Sequence, residues 1–137
     1  MDYLLDTNII SFYFRGDKNV ETKMLSVGVE NLFISSVSYF ELVAGYSNSS
    51  SSFKQKSLKL LAEFVELIEI IDLDSESAKI AGQEKALLVK NGNIIEDTDL
   101  LIAGTAMAHT LTLVTNNTKY FTRLSYLELQ DWSQSSL

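Results

Sequence analysis

Five short apolar runs, at residues 3–5, 32–34, 68–73, 111–114 and 127–129, alternate along the chain with helical stretches, most of them long. This alternation constrains the fold more than any other feature. Parallel neighbouring strands need a crossover of about ten or more residues between them, and a helix is the usual crossover. The expected class is α/β, with a mainly parallel, roughly five-stranded central sheet. Helices are expected at 7–15, 20–27, 38–46, 53–66, 75–90, 99–108 and 118–121. Proline is absent, so Gly16-Asp17 and Asn91-Gly92 end two of these helices, and the serine-rich stretch 47–53 reads as a polar loop. Leu58, Leu61, Phe64, Val65 and Ile68 recur at helical spacing, and Ala78, Ala81 and Gly82 give helix 75–90 a small-residue face. Helix 7–15 carries Ile9, Ile10, Phe12, Tyr13 and Phe14, more than one core-facing stripe requires. Part of it is expected to face a partner.

The 137 residues suit one domain, 1–137, which would bury roughly two-thirds of its unfolded surface. No apolar run reaches the ~18 residues of a membrane span, and the N-terminus lacks the basic-then-apolar pattern of a secretion signal. A cytoplasmic protein is expected. Without cysteine there is no disulfide, thiolate nucleophile or cysteine-bound zinc, and the lone His109 excludes chemistry that needs two imidazoles. The net charge of −7 rules out a global basic footprint for nucleic acid. It suits bound cations or a basic protein partner.

In parallel sheets, ligands sit beyond the carboxyl ends of the strands, where the strand order reverses. The polar residues at these crossings are Asp6 after the first strand and Glu41 early in the helix after the second. Asp99, with Asp97 beside it, opens the helix before the fourth strand, and Asn116-Asn117 follows that strand. Each has an ordinary use. Asp6 or Thr7 can cap the first helix, Ser38 to Glu41 fits a capping box, Asp97 and Asp99 complement a helix dipole, and Asn117 can cap the last helix. Together they would converge on one rim, where unpaired carboxylates repel. A hard divalent cation, Mg²⁺ or Mn²⁺, would offset that repulsion. Such an ion activates water and stabilises a phosphoryl transition state.

The ordered motifs LLDTNIIS (residues 4–11), ISSVSYFELVAGY (34–46), DLLIAGTAMAHTLTLVTNNTKYFTRL (99–124) and LELQDW (127–132) cover nearly the whole chain. In these segments it resembles the PIN-domain ribonucleases, and among them the VapC-type toxins of bacterial toxin–antitoxin pairs. The resemblance implies a three-layer α/β/α sandwich and a metal-dependent endoribonuclease. Its metal-binding carboxylates would be Asp6, Glu41 and Asp99. Asn117 stands where many relatives have a fourth aspartate, which bears on a second ion. Glu96 and Asp97 stand where relatives often have Gly-Pro, and Asp97 is a candidate extra ligand. Also implied are an RNA substrate, transfer RNA by family likeness, a homodimer, and a VapB-type antitoxin that places a basic residue among the carboxylates.

Thr7, Asn8 and Thr115 are candidates for shaping the site, and His109 reads as structural. Lys54, Lys56 and Lys59 form the densest basic cluster. With Arg15, Lys85, Lys119 and Arg123 they are candidates for phosphate contacts. Tyr39, Phe40 and Tyr46 read as core. Two other readings stand beside the nuclease. One is a PIN-like module that has lost catalysis and only binds RNA or protein, which Asn117 favours. The other is a phosphatase-like or receiver-like domain using Asp6, which the absence of a second aspartate at Asn8 disfavours.

Overall fold

The computed structural model describes residues 1–134. Five strands, β1 (Tyr3–Leu5), β2 (Leu32–Ser35), β3 (Glu69–Ile71), β4 (Thr112–Val114) and β5 (Leu129–Gln130), pair in the order β3-β2-β1-β4-β5. Every pairing is parallel. The seven helices are α1 (Thr7–Phe14), α2 (Lys18–Val27), α3 (Ser36–Ser47), α4 (Ser51–Leu67), α5 (Ser75–Lys90), α6 (Asp97–Ala108) and α7 (Thr118–Phe121). None of them is long and apolar enough to cross a membrane.

Strand alternation sorts the core into two layers. Leu4 and Leu113 point to the face covered by α5 and α6, where Ala81, Leu88, Ile102, Ala103 and Ala106 meet them. Leu5, Ile34 and Val114 point to the other face and meet Ile9, Ile10, Val20, Leu42, Leu61 and Phe64 from α1 to α4. Successive side chains of a strand face opposite ways, so a buried strand with helices on both sides must be apolar at consecutive positions. That explains the consecutive apolar pairs Leu4-Leu5 in β1 and Leu113-Val114 in β4.

Four helices start two residues earlier than apolar spacing indicates, at Lys18, Ser36, Ser51 and Asp97. Polar opening residues carry no apolar signal, so the sequence pattern marks such a start about half a turn late. The serine loop accordingly shrinks to residues 48–50. The capping box at Ser38–Glu41 is also corrected. Ser35 is the cap, its hydroxyl accepting from the Ser38 N–H at 3.0 Å, so Ser38 lies inside the helix. The last strand falls at 129–130 rather than 127–129.

The apolar surplus of α1 is largely absorbed within the chain. Phe14 packs edge-on to Phe64 at 5.4 Å between ring centres, and Tyr13 lies 6.0 Å from the same ring. The small-residue contact of α5 and α6 is real but rotated. Ser77, Ala81, Glu84 and Leu88 form the buried stripe of α5, whereas Ala78 and Gly82 lie on its exposed side. Opposite that stripe sits Gly104 of α6. A Cβ there would stand 2.5 Å from the Ser77 carbonyl oxygen and 3.0 Å from Ala81 Cβ. Only glycine lets these backbones approach so closely.

Gly104→Ala is therefore expected to destabilise the protein by about 1–3 kcal/mol through overpacking. Urea denaturation followed by circular dichroism measures it. An unchanged midpoint would mean that α5 and α6 are not in this contact.

Candidate active site

The strand order reverses beside β1. The chain goes from β1 outward through β2 and β3, then returns to place β4 on the other side of β1. Leu5 pairs with Val114, and the Asp6 N–H donates to the Val114 carbonyl at 2.9 Å. The residues following both strands thus emerge side by side. Asp6 is 6% exposed and Thr115 fully buried, and the Thr115 hydroxyl donates to Asp6 Oδ2 at 2.8 Å. The same hydroxyl oxygen accepts from the Asn117 N–H at 3.1 Å. Asp6 Oδ1 accepts from the Thr7 N–H at 2.8 Å, so Asp6 also caps α1.

Glu41 lies in the second turn of α3, which leaves the adjacent strand β2. Its Oε1 accepts from the Thr7 hydroxyl at 2.7 Å. Asp99 sits in the first turn of α6, a helix that runs back into β4 and so brings its own N-terminus to the carboxyl end of the sheet. Burial, then the charges of Asp6, Glu41 and Glu96, push the Asp99 pKa up to about 6. Burial likewise raises the Asp6 carboxyl above its ordinary range, against hydrogen bonds from Thr115 and Thr7 and with the charge of Glu41 adding to it. Three carboxylates from segments far apart in sequence therefore feel one another. None of the three forms an ion pair among the described residues, where the pairs are Lys18–Glu21, Lys85–Asp97 and His109–Asp74.

The other expected residues divide clearly. Asp97 turns to Lys85, 2.7 Å away, with both side chains exposed. Its neighbour Glu96 is the one whose charge reaches Asp99. Asn117 is exposed at the start of α7, and its side chain makes no capping bond. Asn8 Nδ2 reaches Asn116 Oδ1 only at 3.5 Å. His109 pairs with Asp74 at 2.9 Å, at the far end of α6, about 15 Å along the helix from Asp99.

An open cleft of about 540 Å³ is lined by Thr7 and Glu41 together with Arg15 and Lys56. Lys54 and Lys59 share α4 with Lys56, and Lys119 is exposed on α7. Arg123 lies over the Tyr120 ring, 5.9 Å from its centre. Phe40, expected in the core, is instead 64% exposed. Tyr39 and Tyr46 are half-buried against the α1–α4 core.

Two supporting residues were not legible as such. The Tyr120 hydroxyl accepts from the Glu96 N–H at 2.7 Å and so fixes the start of the helix that carries Asp99. Ser38, read as a cap, lies fully buried with its hydroxyl 3.0 Å from that of Thr7. The one available signal was its spacing from Glu41, since residues three apart share a helix face.

The donor set is all oxygen and acidic, which fits a hard divalent cation rather than a soft one. As they stand, no three acidic or imidazole groups among the described residues are close enough to ligate one ion.

The PIN domain family profile matches residues 3–125. The chain is 32% identical to the tRNA(fMet)-specific endonuclease VapC of Shigella flexneri, over 97% of this chain and 99% of that one. It is 35% identical to the ribonuclease VapC2 of Rickettsia felis, over 98% and 100%. Among solved structures, VapBC2 from Rickettsia felis bound to a promoter DNA fragment matches with a TM-score of 0.87 at 35% identity, covering 96% of this chain and 99% of that chain. DNA-bound VapBC from Salmonella typhimurium matches with a TM-score of 0.88 at 28% identity, covering 96% and 98%.

The raised pKa of Asp99 sets a pH dependence for the metal-free protein. The folded state holds this proton more tightly than the unfolded state, so stability falls as pH rises from about 4 to about 6, and the penalty is complete above that. Discounted for partial exposure, the penalty is on the order of 1–2 kcal/mol. In EDTA, Asp99→Asn should melt above the parent at pH 7.5, with the gap closing near pH 4. A parent as stable as the variant at pH 7.5 would contradict the clustering.

Proposed function

The chain belongs to the PIN domain family, and from that membership we propose that it is a VapC-type toxin, a metal-dependent endoribonuclease held in check by a VapB-type antitoxin. The observation that carries the reading is the meeting of Asp6, Glu41 and Asp99 at the reversal of strand order, with no basic side chain paired to them. The similar proteins support the substrate and the partner. One is named as a tRNA endonuclease, and the matched structures are VapBC complexes. Structured RNA, with tRNA first, is the proposed substrate, and inhibition of translation the consequence. Action in the cytoplasm and pairing as a homodimer of single-domain chains belong to the same proposal.

Asp6 and Asp99 would hold a Mg²⁺ or Mn²⁺ ion directly, with Glu41 beside them. When bound, the ion makes water a competent nucleophile and offsets charge on the phosphate. The chain's own residues do the rest. Thr115 and the Thr7 N–H hold Asp6 in one orientation. Glu41, an acceptor for Thr7, orients the water that attacks phosphorus in line as the bond to the 3′-oxygen breaks. Asn117, with its side chain free of capping, hydrogen-bonds a water or a phosphate oxygen, without the charge an aspartate would add for a second ion. Asp97, met by Lys85, lies outside this set. Arg15 and Lys56 face the RNA phosphates from the cleft they share with Glu41. A basic antitoxin side chain entering the same acidic site would block it, and an acidic toxin suits a basic partner segment.

Purified tRNA incubated with the antitoxin-free protein and Mg²⁺ or Mn²⁺ should give discrete cuts. EDTA should abolish them, and Asp6→Asn or Asp99→Asn should slow them by at least about a hundredfold. Cuts that survive both chelator and substitution would overturn the proposal. A folded protein that cuts no RNA but still binds it would favour the degenerate module.

A further inference from the structure

Ser38 is fully buried in the first turn of α3, yet its hydroxyl neither caps the helix nor serves a neighbouring turn. Ser35 does the capping. A buried helical serine usually turns its hydroxyl back to a carbonyl one turn earlier. Here it faces across to α1 instead, 3.0 Å from Thr7 Oγ1, which in turn lies 2.7 Å from Glu41 Oε1. Proton counting fixes the direction. A carboxylate only accepts and Thr7 has one hydroxyl proton, so that proton goes to Glu41 and Ser38 must donate to Thr7. The result is a directed relay from Ser38 through Thr7 to Glu41, spanning two helices.

We propose that Ser38 is a positioning residue for Glu41, acting through Thr7 to hold the glutamate in one rotamer with its second oxygen left for the cleft. The proposal rests on the nuclease reading only for its kinetic consequence. A free glutamate side chain has up to about 2 kcal/mol of rotamer entropy to lose, and a hydrogen bond from an oriented hydroxyl removes much of that cost in advance. Thr7 cannot be oriented by Glu41 alone, because its hydroxyl can swing with the glutamate. The buried Ser38 supplies the fixed end.

The test compares Ser38→Ala, Thr7→Val and the double variant. Each single change should lower kcat for RNA cleavage about tenfold, with KM changed less than twofold, as expected for the loss of one hydrogen bond that orients Glu41. The double variant should be no slower than the slower single one, since the residues act as a unit. Thr7→Val preserves shape, so it also covers the case in which Ser38→Ala folds poorly. A second readout needs no activity. Three-bond couplings to the Thr7 γ-methyl in the metal-free protein should report one χ1 rotamer in the parent and averaging in Ser38→Ala. Additive kinetic losses, an unchanged kcat, or a single Thr7 rotamer in Ser38→Ala would each overturn the relay. If the parent cuts no RNA the nuclease reading fails, and the couplings still decide the role of Ser38.

Discussion

The pairing of β1 with β4 is the constraint on which the rest of the site depends. Leu5 opposite Val114 sets the register, and the backbone bond from Asp6 to Val114 carries it one residue beyond the strand. Because side chains alternate, a slip of one residue would turn Leu4 and Leu5 to the wrong cores and send Asp6 away from Thr115. The two hydrophobic layers therefore hold the register that the carboxylate needs. Apolar packing on both faces specifies where a buried acid stands.

Electrostatics works against the fold at the same place. Asp6 and Asp99 are desolvated and share a rim with Glu41, in a chain already seven charges negative. The lysine nearest in role, Lys85, pairs with the exposed Asp97 and leaves Asp99 unmatched. Hydroxyls rather than cations support the acids: Thr115 for Asp6, Thr7 and Ser38 for Glu41. Neutral donors orient a carboxylate without cancelling its charge, which remains available to a cation. Folding stability is given up locally so that the site keeps its negative potential.

Much of this was legible in the sequence. The alternation of strands and long helices dictates the parallel sheet, and α5 and α7 lie at the residues that their end signals mark. Asn91-Gly92 marks one helix end sharply, and Asn117-Thr118 opens the other short element. Starts failed where the first residues are polar, as at Lys18, Ser51 and Asp97, because an apolar pattern shows only from its first apolar residue. The acids announced themselves by falling just past a strand or in the first turns of the crossover helices, and the topology brings those places to one rim. What stayed hidden were contacts between side chains on separate elements, such as Thr115 with Asp6, 109 residues apart, and Tyr120 with the Glu96 backbone. No local pattern encodes those. That Glu96 rather than Asp97 acts on the charge of Asp99, while Asp97 meets Lys85, is a further case.

Asp6, Glu41 and Asp99 are the proposed holders of one cation. A crystal of the antitoxin-free protein soaked in Mn²⁺ and measured for anomalous scattering tests this most directly. A peak is expected within bonding distance of Asp6 and Asp99 carboxylate oxygens, with Glu41 bound directly or through one water. A saturating soak that leaves that rim empty, or places the ion at Asp97 alone, would contradict it.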